Sequence, residues 1–260
     1  METNLTVAAI QTKLFWEDPQ KNYAHLEGHI KGIPDEADLI ILPEMFTTGF
    51  TMAAEKWAET LEGETVKWLR FWAKKKQAAI GGSVIIKEGD KFFNRFLFIS
   101  PSGEIQYYDK RHTFTLAGED KAYASGENEG RIVYKGWKIC LRVCYDLRFP
   151  VWSRNTSDYD VLIYTANWPH TRIHSWDTLL QARAIENMSY CMGINRVGTD
   201  GSGLEYPGHT AIYNYMGEAL AQTKPKEEGY CISTLSKEKL ETVRKKLPFL
   251  ADRDHFTFLA

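Results

Sequence analysis

The sequence predicts a layered α/β sandwich in a single domain spanning residues 1–260. Strand-length apolar runs alternate with longer amphipathic stretches to the end of the chain, the mixture that packs sheets against helices. No Pro/Gly/Ser-rich linker, low-complexity segment or repeat interrupts that alternation. With 43% apolar and 25% charged residues, 260 residues can bury one large core or two fused halves.

The elements follow in order. Residues 5–11 read as a strand, and 19–31 as a helix opened by Asp18 with Pro19 at its first position. A short buried strand is expected at 39–42. An amphipathic helix follows over 64–76, with Val66, Leu69, Trp72 and Ala73 on one face. Strands come next at 79–86, 92–100 and 104–108, the last two joined by the turn Pro101-Ser102-Gly103. The remaining expectations are strands at 137–143, 161–165, 190–197, 210–215 and 219–222, a helix starting over 150–155, and a helix at 174–186.

Charge excludes some functions. A net charge of −2 and a pI near 6.4 give no basic face for nucleic acid. The longest basic run, Lys74-Lys75-Lys76, reads as a solvated helix end. No apolar stretch approaches the ~20 residues needed to cross a bilayer. Met1-Glu2-Thr3-Asn4 lacks the pattern of a secretory leader. Four scattered cysteines are no disulfide framework, and thiol chemistry requires reducing surroundings, so the expected location is the cytoplasm.

Three polar positions stand directly behind apolar strands. Cys144 ends Ile139-Cys140-Leu141-Arg142-Val143 and precedes Tyr145-Asp146-Leu147-Arg148-Phe149-Pro150. A cysteine on a strand-to-helix bend lies near backbone N–H groups able to stabilise a thiolate and later an oxyanion. Most cysteines are instead buried and inert, the reading for Cys140 and Cys231. Glu44 follows Leu39-Ile40-Ile41-Leu42-Pro43, where desolvation would suit a general base, although by itself it also reads as a helix-capping or surface glutamate. Lys110 lies in Asp109-Lys110-Arg111-His112, by itself readable as a solvated charge cluster.

Taken together, Pro43-Glu44, the Lys110 segment and Cys144-Tyr145-Asp146 resemble the Glu–Lys–Cys triad of the nitrilase superfamily in order and spacing. Leu42-Pro43-Glu44-Met45-Phe46, Gly81-Gly82-Ser83, Asn167-Trp168-Pro169 and Ala182-Arg183-Ala184-Ile185-Glu186-Asn187 agree with it, over about Val7 to Tyr215. The resemblance implies a four-layer α-β-β-α sandwich, assembled as a homodimer or larger homo-oligomer. It implies Cys144 as nucleophile, Glu44 as base, Lys110 as oxyanion partner with the Tyr145 N–H, and a second glutamate after the lysine, best matched by Glu119.

Cys144-Tyr145-Asp146-Leu147-Arg148-Phe149-Pro150 is similar to the omega-amidase branch, which hydrolyses the side-chain amide of 2-oxoglutaramate and 2-oxosuccinamate. Thr113 replaces that branch's usual leucine, a change expected in the pocket wall. Arg148 can grip a substrate carboxylate bidentately, or instead form a structural salt bridge. Trp168 is a candidate pocket wall. The implied partner is a small-molecule amide, with no nucleic acid, membrane, metal or organic cofactor. Another amide, a nitrile or an N-carbamoyl compound is the alternative substrate; a non-catalytic scaffold of the same fold is the alternative class.

His25/His29 and His170/His174 have zinc-compatible spacing. Neither pair carries the glutamate and third ligand of a metalloprotease motif, so both read as surface or packing histidines. No Gly-x-Gly-x-x-Gly or phosphate loop is present.

Overall fold

The computed structural model describes residues 4–258. Met1-Glu2-Thr3, read above for a leader signal, lie outside the described residues. The first half runs β1 (Asn4–Gln11), α1 (Pro19–Gly32), β2 (Leu39–Ile41), α2 (Ala54–Trp57), α3 (Glu64–Lys76), β3 (Ala79–Glu88), β4 (Lys91–Ile99), β5 (Ile105–Asp109) and α4 (Glu119–Ala122). The second half continues with β6 (Arg131–Tyr134), β7 (Trp137–Val143), α5 (Pro150–Ser153), β8 (Val161–Ala166), α6 (Ile173–Glu186), β9 (Tyr190–Asn195) and β10 (Val197–Thr199). It ends with β11 (Glu205–Pro207), β12 (Ala211–Tyr213), β13 (Ala219–Gln222), β14 (Gly229–Ser236) and α7 (Lys237–Lys246).

Two six-stranded sheets form, ordered β14-β1-β2-β3-β4-β5 and β13-β12-β9-β8-β7-β6. Within them β1-β2-β3 and β7-β8-β9 are parallel. Their strands read as near-continuous apolar runs because both faces are covered. Alternate residues of each strand point to opposite faces. One set, including Val7, Leu39, Phe96, Ile139, Ile163 and Met192, packs sheet against sheet. The other set of the first sheet, including Ala8, Ile40 and Ile80, meets Leu26 and Ile30 of α1 and Leu69 and Trp72 of α3. On the second sheet, Leu162, Tyr164 and Cys191 meet Trp176, Leu180 and Ala184 of α6. The layers are therefore α-β-β-α, as the resemblance implied.

Local chemistry explains several boundaries. The Asp18 side chain caps α1 by accepting the Lys21 N–H, with Pro19 at the first turn. Gly103, at φ +86°, closes the turn between β4 and β5 in a conformation that disfavours side chains. Residues 190–197 are not one strand. The Asn195 side chain accepts the Trp168 N–H and donates to Trp168 O and Gly208 O, and the chain leaves the sheet to pair β10 with β11. The strand expected at 210–215 shortens to β12 because the Thr210 hydroxyl bonds Asn195 and Asn214 turns the chain. The helix expected over 150–155 stops at Ser153, and Asn155 is held by Asn187 instead. Lys76 is not simply solvated: its ammonium donates to Ile33 O at 2.7 Å and pairs with Asp35.

Seven elements have no counterpart in the sequence reading: α2, α4, β6, β10, β11, β14 and α7. Most are short. β14 is not, and it pairs with β1 over the whole length of both strands. Its residues Gly229–Ser236 are half polar and only intermittently buried, so their pairing depends on a partner more than two hundred residues away.

Candidate active site

Four strand ends converge on one cavity. Glu44 follows β2, Lys110 follows β5, Cys144 follows β7 and Asn167 follows β8. β5 runs parallel to β2 because two antiparallel steps separate it from β3. All four residues line a cavity of about 310 Å³. Ligands in α/β sheets characteristically bind beyond the carboxyl ends of the strands.

Glu44 is fully buried, and both its carboxylate oxygens are engaged. Oε1 accepts from Lys110 Nζ at 3.0 Å and Asn94 Nδ2 at 2.9 Å, and Oε2 accepts from the Asn167 N–H at 2.8 Å. Asn167 Nδ2 also donates to Glu44 O at 2.8 Å. The turn behind Glu44 forces Met45 to φ +44°, and Ser83 Oγ accepts the Met45 N–H at 2.9 Å. Gly82 sits where a Cβ would come within 2.9 Å of Leu42 and Phe46. The Gly-Gly-Ser segment therefore acts as the bed on which the glutamate turn rests.

Lys110 is 1% exposed, and its ammonium lies between two carboxylates of 0% exposure, so solvent screens none of these charges. Beyond Glu44 it donates to both oxygens of Glu119, each at 2.9 Å. Glu119 also accepts from Asn94 Nδ2 at 3.2 Å and from the Phe114 N–H. Burial pulls the Lys110 ammonium down, but Glu119 and Glu44 outweigh it and hold it above the usual lysine range. Burial raises the Glu119 carboxyl, Lys110 opposes, and Glu44 adds to the rise. The hairpin carrying Lys110 is fixed by the bidentate Arg95–Asp109 pair at 2.6 and 2.8 Å.

Cys144 opens a single tight helical turn, Cys144–Arg148, at φ +44°, a left-handed conformation costly for a residue with a Cβ. Buried Asp146 fixes that turn. Its Oδ2 accepts from the Val143 N–H at 2.9 Å and Tyr108 Oη at 2.8 Å, while Oδ1 accepts from the His112 N–H at 3.1 Å and contacts His112 Nδ1 at 2.8 Å. Burial raises the Asp146 carboxyl, yet His112, Arg142 and the Val143 N–H prevail and hold it below the usual range. The sulfur lies half-buried, 4.0 Å from Asn167 O. Burial pushes its thiol well above the ordinary range, with the Glu44 and Glu119 charges adding to the rise and Lys110 opposing it. Backbone N–H groups on this bend, expected to stabilise a thiolate, are opposed by that burial and charge. Cys140, Cys191 and Cys231 are buried, free thiols.

Tyr145 and Arg148 also line the cavity, and Trp168 forms a wall with the Arg148 guanidinium 5.0 Å from its ring centre. Arg148 is exposed and, among the described residues, pairs with no carboxylate. Thr113 is not part of the cavity wall, contrary to expectation; Phe114 takes that place because the segment turns there to bring its N–H to Glu119. The sequence reading gave no role to Asn94, Asp146 or Arg172. Asn94 is detectable as an amide within the apolar run Phe92-Phe93-Asn94-Arg95-Phe96. Arg172, half-buried on the cavity 5.4 Å from the Phe114 ring centre, has no local sequence signal.

The carbon-nitrogen hydrolase family profile matches residues 6–245. Omega-amidase YafV of Yersinia enterocolitica is 45% identical over 99% of this chain and 100% of its own. The 2-oxoglutaramate amidase of Bacillus subtilis is 31% identical over 95% of this chain and 96% of its own. Among solved structures, XC1258 of Xanthomonas campestris, a CN-hydrolase superfamily protein described with an arsenic adduct in its active site, superposes with a TM-score of 0.95. It is 39% identical, covering 98% of this chain and 99% of that one. With its two sheets, its buried Glu–Lys–Glu cluster and these matches, the chain belongs to the carbon-nitrogen hydrolase family.

Proposed function

We propose that this chain is an omega-amidase, hydrolysing the side-chain amide of a small dicarboxylic monoamide such as 2-oxoglutaramate or 2-oxosuccinamate to the acid and ammonia. One observation carries the reading: a thiol, a buried carboxylate–ammonium–carboxylate cluster and two arginines without carboxylate partners among the described residues share one small cavity. Relatives named omega-amidase and 2-oxoglutaramate amidase, aligned over nearly the full chain, support it. About 310 Å³ lies at the small end of ligand cavities, suited to a short acyclic substrate.

In this mechanism Cys144 Sγ attacks the amide carbon while its proton passes to Glu44. The oxyanion is met by the Lys110 ammonium and the Tyr145 N–H. Glu44 returns the proton to departing ammonia, leaving a thioester, then activates the water that releases the acid. Glu119 holds Lys110 in place through two hydrogen bonds, and Asn94 ties the two carboxylates together. Arg148 receives the substrate's free carboxylate beside Trp168, with Arg172 as a second positive group on the same cavity. These steps use side-chain and backbone groups alone.

The chain would act as one hydrolase domain in a reducing compartment, the cytoplasm, where its free thiols persist. Among the described residues no helix is long and apolar enough to cross a membrane. Assembly into a homodimer or larger is what the family resemblance implies, and light scattering reads it directly. The test of function is ammonia release from 2-oxoglutaramate, a neutral amide, a nitrile and an N-carbamoyl amino acid. The reading requires the dicarboxylic monoamide to be preferred and Cys144→Ala to abolish its turnover. Preference for a substrate lacking a carboxylate overturns it.

A further inference from the structure

Where α1 meets the segment entering β14, two histidines of zinc-compatible spacing come together with a glutamate from the far end of the chain. His25 and His29 stand one turn apart on α1, and Glu228 precedes β14, the strand the sequence reading missed. The Nε2 atoms of the two histidines face each other at 3.4 Å, and Glu228 Oε1 lies 2.7 Å from His25 Nε2. All three ligand atoms lie within 4.8 Å of one another. We propose that His25, His29 and Glu228 form a structural zinc(II) site that ties α1 to the segment entering β14.

Without a metal, hydrogen bonds already join the three groups: Glu228 Oε1 accepts from the Lys13 N–H at 2.8 Å and from Thr12 Oγ1 at 3.0 Å, and lies 2.7 Å from His25 Nε2. An imidazole nitrogen offers either one N–H or one lone pair, in the ring plane. If His25 Nε2 carries its proton, it donates to Glu228 and presents no lone pair to His29. If it does not, its lone pair confronts a carboxylate oxygen at 2.7 Å. Thr12 Oγ1, 3.1 Å from His29 Nε2, gives His29 a partner of its own, so each nitrogen is hydrogen-bonded when no metal is present. A divalent cation at the centre would take the place of those protons, with both lone pairs and the carboxylate then directed at positive charge.

Distances agree with zinc. Zinc–nitrogen bonds of about 2.0–2.1 Å in a tetrahedron place two ligand nitrogens about 3.3–3.4 Å apart, and the observed separation is 3.4 Å. The His25–Glu228 contact of 2.7 Å is shorter than such an edge, so the carboxylate must move outward by roughly half an ångström. Glu228 is exposed, and the move exchanges its hydrogen bonds from the Lys13 N–H and Thr12 Oγ1 for the metal. Lys13, whose ammonium is 3.9 Å from Glu228 Oε2, is itself half exposed and can swing away. Two imidazoles, one carboxylate and a fourth position open to water suit zinc better than a hard, oxygen-seeking cation.

The test uses the untagged chain titrated with Zn(II) alone, with binding followed by competition against a chromophoric chelator and by thermal melting. One Zn(II) per chain is expected in both wild type and Cys144→Ala, with a rise in Tm. His29→Gln should lower the affinity by at least about 100-fold, the upper end of what loss of even an indirect metal contact costs, and should abolish the Tm rise. Glu228→Gln, at an exposed position, carries the same expectation should His29→Gln fold poorly. Co(II) substitution should give tetrahedral d–d absorption in Cys144→Ala and none in His29→Gln. The proposal is overturned if no Zn(II) binds, if binding survives His29→Gln and Glu228→Gln, or if it disappears in Cys144→Ala, which would put the metal at the thiol.

Discussion

Replacing Lys110 with methionine separates its electrostatic role from its packing. The ammonium donates at 3.0 Å to Glu44 and at 2.9 Å to each Glu119 oxygen, with all three side chains buried. Removing one partner of a buried ion pair costs about 3–5 kcal/mol, since the remaining charge is left uncompensated. At about 2–4 °C per kcal/mol for a chain of this size, Lys110→Met should melt ~6–20 °C lower. Loss of an oxyanion donor should cut kcat by about 10²- to 10³-fold. Two adjacent buried carboxylates would then share a proton, blunting Glu44 as base and moving the acidic limb of the pH–rate profile upward. Adding Glu119→Gln removes one of the stranded charges, so the double variant should be more stable than Lys110→Met alone while remaining slow. Melting curves and steady-state ammonia release read both quantities. A Lys110→Met enzyme with near-normal kcat and only a raised KM would make Lys110 a ground-state binding group. A double variant no more stable than the single would refute the coupling of the two glutamates through Lys110.

Three further outcomes follow from the site. Cys144→Ala should keep the fold and lose all amide hydrolysis, and iodoacetamide should modify Cys144 before the three buried thiols, as mass spectrometry of the labelled peptides will read. Arg148→Ala should lower kcat/KM toward 2-oxoglutaramate by about 10- to 30-fold, the low end for a charge-assisted bond because the side chain is exposed; a neutral amide should be nearly unaffected, and equal losses would make Arg148 structural. Asp146, whose carboxyl is held below its usual range, contributes stability that is complete above the ordinary aspartate pKa and is lost as pH falls through the lowered folded value. Denaturant melts across that acidic window should therefore show a weaker acid dependence for Asp146→Asn, and an unchanged dependence would place the effect elsewhere.

Much of the layering was legible because buried strands advertise themselves. Leu39–Ile41, Trp137–Val143 and Val161–Ala166 are dense apolar runs, and each ends at a polar residue that the fold delivers to the cavity. Helix α1 was readable from its Asp18 cap and α3 from the apolar face of Val66, Leu69, Trp72 and Ala73, and α6 was expected over 174–186. Edge and connecting elements were not. β14 has mixed polarity, and β10 and β11 exist because Asn195 leaves its strand to bond Trp168 and Gly208. Propensity within such segments is weak, and a distant partner decides them.

The sequence by itself determined the family, the sandwich and the candidates Glu44, Lys110 and Cys144, because each rests on a local string: an apolar strand, then the reactive residue, then a turn. Tertiary structure alone decided what those groups are electrically. Lys110 is clamped by two carboxylates because Glu119 and Asn94 close the cluster from other elements, and burial with the Glu44 and Glu119 charges pushes the Cys144 thiol up. It also decided that Arg172 shares the cavity with Arg148, and that His25 and His29 meet Glu228 from the far end of the chain. Hydrogen bonds and Coulomb interactions act over a few ångströms in space, whatever the separation in sequence, so no string of neighbouring residues encodes them.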